Sequence, residues 1–294
     1  MNNDMVFKTE DGFYQLLNKP TPIELNDYYS QKYYQEDKAT YKKSYSGEEL
    51  KHIYNKIEQK HLLFSNFFRQ TSGLKLLDVG CGEGFCLSYF NKNGWNVKGL
   101  DYSDFGLEIH NPEMKPFIET GDIYTNIEKL ISTKVKFDLL WVDNVLEHVL
   151  DPFQLLKFCS ALTSPNGILV VEVPNDFSPI QIELKKKELI ENDFWVIVPD
   201  HISYFNKTGL INIAKRAGWE EIVSIADFPI DFNLFNADGN YVSNRSRGKN
   251  AHLQRVQIEN LLHEISPTKT NLLYKAFADL GLGRQIIAIF QKNI

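Results

Sequence analysis

Apolar residues recur every three or four positions between Glu48 and Arg69, at Leu50, Ile53, Tyr54, Ile57, His61, Phe64 and Phe68. That spacing lines one face of a helix, and Ser72-Gly73 marks its end. From Leu74 the period changes. Lys75-Leu-Leu-Asp-Val reads as a short buried strand, Phe85 to Asn91 as a helix stopped by Gly94, and Asn96 to Leu100 as a second strand. Ser103 is placed to cap a short helix before Pro112. Phe137-Asp-Leu-Leu-Trp-Val142 is a further strand, and Pro152 opens a helix that runs to about Leu162. Pro165-Asn-Gly167 reads as a turn before the strand Ile168 to Val173. Lys207 to Ala217 is a helix ended by Gly218, and Trp219 to Ile225 a strand. Residues 227 to 282 mix patterns, and Gln285-Ile-Ile-Ala-Ile-Phe290 closes the chain as a strand. Strands alternating with helices predict an α/β fold with a parallel sheet covered on both faces. Residues 1 to about 70 are expected to form a helical, aromatic-rich extension.

Composition narrows the class of partner. The chain has 294 residues, 43% of them apolar, which suits one core domain with extensions. Against 32 Lys and Arg stand 38 Asp and Glu, a formal charge of -6, so no global attraction to nucleic acid is expected. Cys81, Cys86 and Cys159 form no Cys-x-x-Cys pair, and three is an odd number, which fits a reducing cytoplasm. The polar start Met-Asn-Asn-Asp-Met lacks the pattern of a signal peptide. No apolar run approaches the roughly 18 residues of a membrane span, so no membrane insertion is expected. The pattern does not speak to oligomeric state.

The strand at Lys75 runs into Leu76-Leu-Asp-Val-Gly-Cys-Gly-Glu-Gly84 and then a helix. Without Cβ atoms, Gly80, Gly82 and Gly84 let the backbone turn tightly and a ligand lie against it. A dinucleotide loop would need glycine at position 85, where Phe85 stands. Asp78, inside the strand, suits a ligand with an ammonium group and suits a pyrophosphate poorly. Asp101, in Gly99-Leu-Asp-Tyr-Ser103, ends the second strand, where a carboxylate can accept from both ribose hydroxyls. Asp122, in Thr120-Gly-Asp-Ile123, is placed to read an adenine amine. Each feature has a plainer explanation, since glycines end strands and aspartates cap helices. Their order along the chain favours the ligand.

These stretches, with Asp143-Asn-Val-Leu-Glu-His-Val-Leu-Asp-Pro152, resemble the cofactor motifs of class I S-adenosylmethionine-dependent methyltransferases. The resemblance covers residues 74 to about 225 and the closing strand. It implies a seven-stranded sheet whose last strand is antiparallel. The domains implied are a helical N-terminal extension or lid over residues 1–72, a cofactor-binding core over 73–226, an inserted substrate-side segment over 227–284, and the final core strand over 285–294. By position, Asp78 and the loop glycines hold the methionine part, Asp101 the ribose, and Asp122 with Ile123 the adenine. Cys81, Tyr102 and Asn144 join them.

Methyl transfer to a hydroxyl needs a base with a pKa near the working pH, which favours histidine. His148 follows the fourth strand at the edge where open α/β folds bind ligands. His201, in Val198-Pro-Asp-His-Ile-Ser-Tyr-Phe205, has Asp200 beside it to orient it and is the favoured base. Asn175 and Asp176 follow the fifth strand and are expected to line the substrate pocket. Some small-RNA and quinone methyltransferases carry Glu-x-x-Glu-His here with a bound metal. Asn144 replaces the first acid, an amide is a poorer ligand for a hard dication, and no metal is expected. Tyrosines 28, 29, 33 and 34 are candidates for a lid over the sulfonium, or simply for packing. Arg245, Arg247 and Lys249 concentrate charge in the inserted segment and are candidates to clamp a phosphate, or to form a solvated face.

Glu172-Val-Pro-Asn-Asp-Phe177, Pro199 to Phe205, Phe228-Pro-Ile-Asp231 and Gly248-Lys-Asn-Ala-His252 resemble methyltransferases of bacterial surface-glycan and capsule pathways. That resemblance implies O-methylation of an anionic small molecule, a phosphorylated or nucleotide-linked sugar. The alternatives are N-methylation of an amino sugar or amine, and a non-catalytic nucleotide-binding protein. A nicotinamide oxidoreductase is disfavoured by Phe85. A nucleic-acid amino-methylase is disfavoured by Asp143-Asn-Val-Leu where such enzymes carry Asn/Asp-Pro-Pro-Tyr.

Overall fold

The computed structural model describes residues 5–25, 28, 44–70 and 72–292. Strands β1 (Val6–Lys8) and β2 (Tyr14–Leu16) precede helix α1 (Gly47–Phe64). The core then runs β3 (Lys75–Val79), α2 (Phe85–Lys92), β4 (Asn96–Asp101), α3 (Phe105–His110), β5 (Ile118–Thr120), α4 (Ile123–Ser132), β6 (Phe137–Asp143), α5 (Pro152–Leu162) and β7 (Thr163–Pro174). It continues with α6 (Pro179–Lys186), β8 (Ser203–Tyr204), α7 (Lys207–Arg216), β9 (Trp219–Ala226), α8 (Gly248–Ile265), α9 (Pro267–Asp279) and β10 (Gln285–Lys292).

The main sheet has seven strands in the order β5-β4-β3-β6-β7-β10-β9. Strands β3 to β7 pair in parallel, and β10 lies antiparallel between β7 and β9. The order reverses beside β3, and every parallel strand points its C-terminal end at one edge. Open α/β sheets bind ligands at such an edge, beside the reversal.

Both faces of the sheet are covered, so its central strands are apolar on both sides. Leu155, Leu156, Leu210 and Ile127, from α5, α7 and α4, fill one face. Ile57, Phe64, Leu87, Phe90 and Tyr274, from α1, α2 and α9, fill the other. Burying each such side chain contributes about 1.5–3 kcal/mol. A third cluster lies beyond the sheet edge, where Leu16, Ile180, Leu184, Trp195, Tyr204 and Leu234 meet.

The sequence expectations need three corrections. The N-terminal segment includes a hairpin as well as a helix: β1 pairs with β2, and β2 with β8. Its signal was Asp11-Gly12, where Gly12 adopts a φ of 99° that turns the chain between alternating strands. Pro165-Asn-Gly167 does not separate two elements. The β6–β7 pairing jumps from Phe137–Thr163 to Leu139–Ile168, so the turn is a bulge inside β7 with Asn166 at φ 63°. Residues 227–284 also divide. Leu234 joins the cluster beyond the edge, whereas α8 and α9 lie beside α1 on the α2 face. The described part of α1 ends its apolar stripe on that same face, as its periodicity predicts. Tyr29, Tyr33 and Tyr34 lie outside the described residues.

Candidate functional site

The loop after β3 is held by the neighbouring strand. Gly80 N–H and Cys81 N–H both donate to Leu100 carbonyl, at 2.7 and 3.1 Å. Gly80 has φ 75°, and a Cβ there would lie 2.3 Å from Val145 Cγ2, so no larger residue fits. Gly82 N–H donates to Asp101 Oδ2 at 2.8 Å, and Ser103 N–H to Asp101 Oδ1 at 3.2 Å. Asp101 therefore ties β4 to the glycine loop, and each oxygen keeps acceptor capacity for a hydroxyl. Burial pushes its carboxyl up, and these backbone donors pull it part of the way back.

A cleft of about 240 Å³ lies over this loop. Asp78, Gly80, Cys81, Gly84 and Phe85 form one wall, Trp141, Asp143, Asn144 and Glu172 the floor, and α1 closes it with Lys56 and Lys60. Asp78 is buried, and its Oδ2 has no hydrogen-bond partner. Burial, then Asp143 and Asp101, push its carboxyl well above the usual range. A bound ammonium would satisfy that oxygen and reverse the shift. The residues present thus fit an amino-acid ligand with an adenosyl group.

The sequence missed the cations in this cleft. Lys60 Nζ pairs with Asp143 Oδ2 at 2.5 Å and with Glu172, and it lies 4.9 Å from the Trp141 ring. Lys56 Nζ pairs with Glu172 Oε1 at 2.9 Å. Burial opposes the charge on Lys60, yet Asp143 and Glu172 hold its pKa above the ordinary value. The available signal was two lysines four residues apart beside Ile53 and Ile57, on the buried side of an amphipathic helix.

Other expected cofactor residues divide. Asp122 is exposed and caps α4, accepting at Oδ1 from Thr125 N–H and Thr125 Oγ1–H, both at 2.8 Å. Oδ2 takes no part in this cap. Ile123 packs against the sheet core. Tyr102 sits between Asp101 and Ser103 at the strand end. Asn144 has φ 54° and donates to Asp143 Oδ1 at 2.7 Å, so its amide is turned to its neighbour.

Toward β7 the edge carries the acid–base groups. Ile202 and Ser203 N–H both donate to Glu147 carbonyl, at 2.8 and 3.0 Å, and this pins the 198–205 loop against the end of β6. The His148 and His201 rings meet edge to face with centroids 4.9 Å apart. Asp200 engages His148: its carbonyl lies 2.7 Å and its carboxylate 3.5 Å from His148 Nδ1. A carbonyl can only accept, so Nδ1 carries a proton, and in the neutral ring Nε2 holds the lone pair. Asp200 thus orients the His148 ring. Glu147 is buried, and burial raises its carboxyl well above the usual range. Glu147, His148 and His201 offer ligand atoms within 4.8 Å of one another, a donor set able to hold a divalent cation.

Asn175 does not line an open pocket. Its Nδ2 donates to Gly281 and Gly283 carbonyls, both at 3.0 Å, and so fixes the turn before β10. Asp176 is buried against Arg284, with NH1 to Oδ1 at 3.0 Å. Burial outweighs that cation and pushes its carboxyl up to about 6. Arg245 and Lys249 are exposed at the start of α8, and Arg247 donates to Ala237 carbonyl. None of the three lines the cleft. A charged run near the end of a short irregular segment solvates more readily than it converges, so the expected phosphate clamp is not assembled.

A model of the methyltransferase-domain family matches residues 31–225. The chain belongs to this family. S-adenosylmethionine is the cofactor the family implies, in agreement with the fit of the cleft. Among sequence relatives, the mitochondrial ubiquinone biosynthesis O-methyltransferase of Arabidopsis thaliana is 37% identical over 106 residues, 35% of this chain and 33% of that one. The ubiquinone biosynthesis O-methyltransferase of Actinobacillus pleuropneumoniae is 34% identical over 124 residues, 40% of this chain and 50% of that one. The chain thus spans half or less of these relatives' length. A solved structure from Galdieria sulphuraria superposes with a TM-score of 0.50 at 12% identity, over 92% of this chain and 98% of that one. It shows the shared methyltransferase fold. The relatives are named for ubiquinone, not for surface glycans, and so lend no support to the expected anionic sugar as acceptor. No described helix is long and apolar enough to cross a membrane.

Proposed function

We propose that this protein transfers the methyl group of S-adenosylmethionine to a hydroxyl of a small, ring-bearing molecule. The observation that carries this reading is His148. Its Nδ1 proton is directed at Asp200 carbonyl, so Nε2, 3.7 Å from Glu147 Oε1 at the same sheet edge, is the ring nitrogen that can take up a proton. Bound in the cleft, S-adenosylmethionine supplies an electrophilic methyl group. Asp78 and Asp101 orient its two ends, the buried surroundings exclude water, and His148 Nε2 takes the proton of the hydroxyl that attacks. His201, against the His148 ring, positions it.

The ubiquinone names of the relatives support an oxygen acceptor, and a phenol more than a sugar phosphate. Local chemistry agrees. Glu147 and Asp176 near the base disfavour a phosphate, and Arg245, Arg247 and Lys249 do not converge to hold one. Tyr14 stacks on Phe177 with centroids 3.9 Å apart, and Trp195 meets the same Phe177, so an apolar aromatic cluster stands beyond Asp176. A second reading follows from the donor set of Glu147, His148 and His201. A divalent cation there would lower the pKa of the acceptor hydroxyl, and no proton would need to reach His148.

The test is a methylation screen of catechols and other phenols beside nucleotide sugars and amines, each run with and without chelator. Methylation of a phenol unaffected by chelator supports the leading reading. Loss of turnover with chelator, restored by a divalent cation, supports the second. Methylation confined to nucleotide sugars or amines would overturn the acceptor.

A further inference from the structure

A second cavity, of about 650 Å³, lies between the N-terminal hairpin, the start of α5 and the end of α7. Helices α5 and α7 cover the sheet face opposite α1, and the cavity shares no lining residue with the glycine cleft. Phe7 pairs with Gln15 across the hairpin, and Phe13 stands two positions from Gln15, so the three lie on one face of it. Phe7, Phe13, Leu150, Pro152, Phe153 and Ile213 supply the apolar wall. Phe7 is 42% exposed, an open ring at the cavity side.

The polar lining is largely spent on the protein itself. Arg216 bonds Asp11 through Nε at 3.2 Å and Nη2 at 2.7 Å, and its guanidinium lies 4.0 Å over the Phe153 ring. Lys19 Nζ donates to Leu150 carbonyl at 2.9 Å. Thr9 Oγ1 donates to Phe13 carbonyl at 2.9 Å, and Gln15 Nε2 to Ser203 Oγ at 3.1 Å. Asp151 Oδ1 accepts from Gln154 N–H at 2.9 Å. Glu10 stands exposed on the turn. Lys19 and Arg216 thus face Glu10, Asp11 and Asp151, a formal charge of one negative with both signs present. An ion of either sign would meet a like charge there. The glycine cleft differs, because Asp78 Oδ2 is buried in it without a partner and calls for a donor. What the second cavity leaves for a ligand is apolar surface.

We propose that this cavity is a second binding site, for a small uncharged apolar molecule. Burial of that molecule against the phenylalanine rings drives its binding. The volume falls within the range of small-molecule sites. Its lining reaches both acid–base segments. Leu150 follows His148 by two positions, and Gln15 holds Ser203, two positions after His201. A ligand here braces the hairpin against both. A free molecule and an apolar substituent of the acceptor share this chemistry.

Fluorescence of the neutral probe N-phenyl-1-naphthylamine on the full chain tests this, with decanol, decanoate and decylamine as competitors at neutral pH. Decanol should displace the probe at about 10-fold lower concentration than either charged analogue, because burying an ion costs more than burying a hydroxyl. Phe7→Asp puts a charge on the exposed wall, and Ile213→Trp fills the cavity. Each should abolish probe binding and leave calorimetric affinity for S-adenosylhomocysteine unchanged. If Ile213→Trp does not melt cooperatively, Phe7→Asp decides. Displacement by decanoate or decylamine as readily as by decanol overturns the ligand class, and probe binding that survives Phe7→Asp overturns the site. Methylation kinetics then separate the two sources. A decanol-induced rise in KM for 4-decylphenol but not for phenol makes the site the acceptor's own. Unchanged KM for both makes the occupant a separate molecule. The displacement arms need no turnover, so they stand whatever the acceptor is.

Discussion

Two halves of one sheet edge hold their acids in different ways. At the β3–β4 end, Asp101 is fixed by Gly82 and Ser103 N–H groups from its own two loops. At the β7–β10 end, the groups are fixed by distant partners. His148 is held by Asp200 across 52 positions, Asp176 by Arg284 across 108, and Asn175 by Gly281 across 106. A site built from local backbone recurs as a motif. A site built from long-range pairing can change its acceptor without changing the fold. On the proposed reading the first half binds the cofactor and the second the acceptor.

The strongest way to break this contrast is to disable one half alone. His148→Ala should lower kcat by about 10²–10⁴-fold, the usual contribution of a positioned base, while calorimetric affinity for S-adenosylhomocysteine stays unchanged. His201→Ala should cost less, because it acts through the His148 ring. If His201→Ala is the more damaging of the two, the proton goes to His201 and the roles reverse. The converse experiment disables the other half. Asp101→Ala removes the ribose acceptor and strands two loop N–H groups, so cofactor affinity should fall on the order of 100-fold. Thermal unfolding should remain a single transition, because the sheet cores do not depend on Asp101. Normal affinity in this variant would show that the two halves are not separable as drawn.

The same contrast explains what the sequence disclosed. Glycines at 80, 82 and 84 and acids at 78 and 101 could be read because one strand, one turn and the next strand place them by covalent connection. The parallel α/β class followed from alternating periods, while the seven strands and the antiparallel β10 came from the family resemblance. Asp200 could not be assigned, because adjacency to His201 says nothing about which ring its carbonyl reaches. Asn175 looked like a pocket residue from its place after β7, but its amide is consumed by a turn 106 positions away. The four-residue spacing of Lys56 and Lys60 beside Ile53 and Ile57 is a weak signal, since lysines next to an apolar stripe usually reach solvent. Only the packing of α1 over β6 and β7 turns them inward. The hairpin at Asp11-Gly12 was legible and was overshadowed by the helical pattern that follows it.

A smaller effect sharpens the description of the cofactor half. Burial, with Asp143 and Asp101 nearby, raises the Asp78 carboxyl well above its ordinary range, while Cys86 and Lys60 act in the opposite direction. An ammonium beside it lowers the pKa again. Below the pKa of the unliganded protein, binding must therefore release a proton, and affinity should rise with pH until that pKa is passed. Calorimetry in buffers of different ionisation enthalpy reads this release directly, and Asp78→Asn should abolish it. Binding heats independent of buffer would mean that Asp78 is already ionised and that the ammonium lies elsewhere.

The smallest expected effect bears on the acceptor half. Arg245, Arg247 and Lys249 are the densest run of positive charge in the inserted segment, and they are absent from the cleft lining. Exposed charges contribute on the order of 0–1 kcal/mol, and a single Ala triple variant should therefore change neither melting temperature nor the KM for a phenolic acceptor appreciably. A clamp for a phosphorylated acceptor would behave otherwise. Its loss would raise KM for that acceptor, the rise would shrink with added salt, and kcat would hold. A salt-sensitive rise in KM would return the acceptor to the anionic class and give the start of α8 a part in binding it.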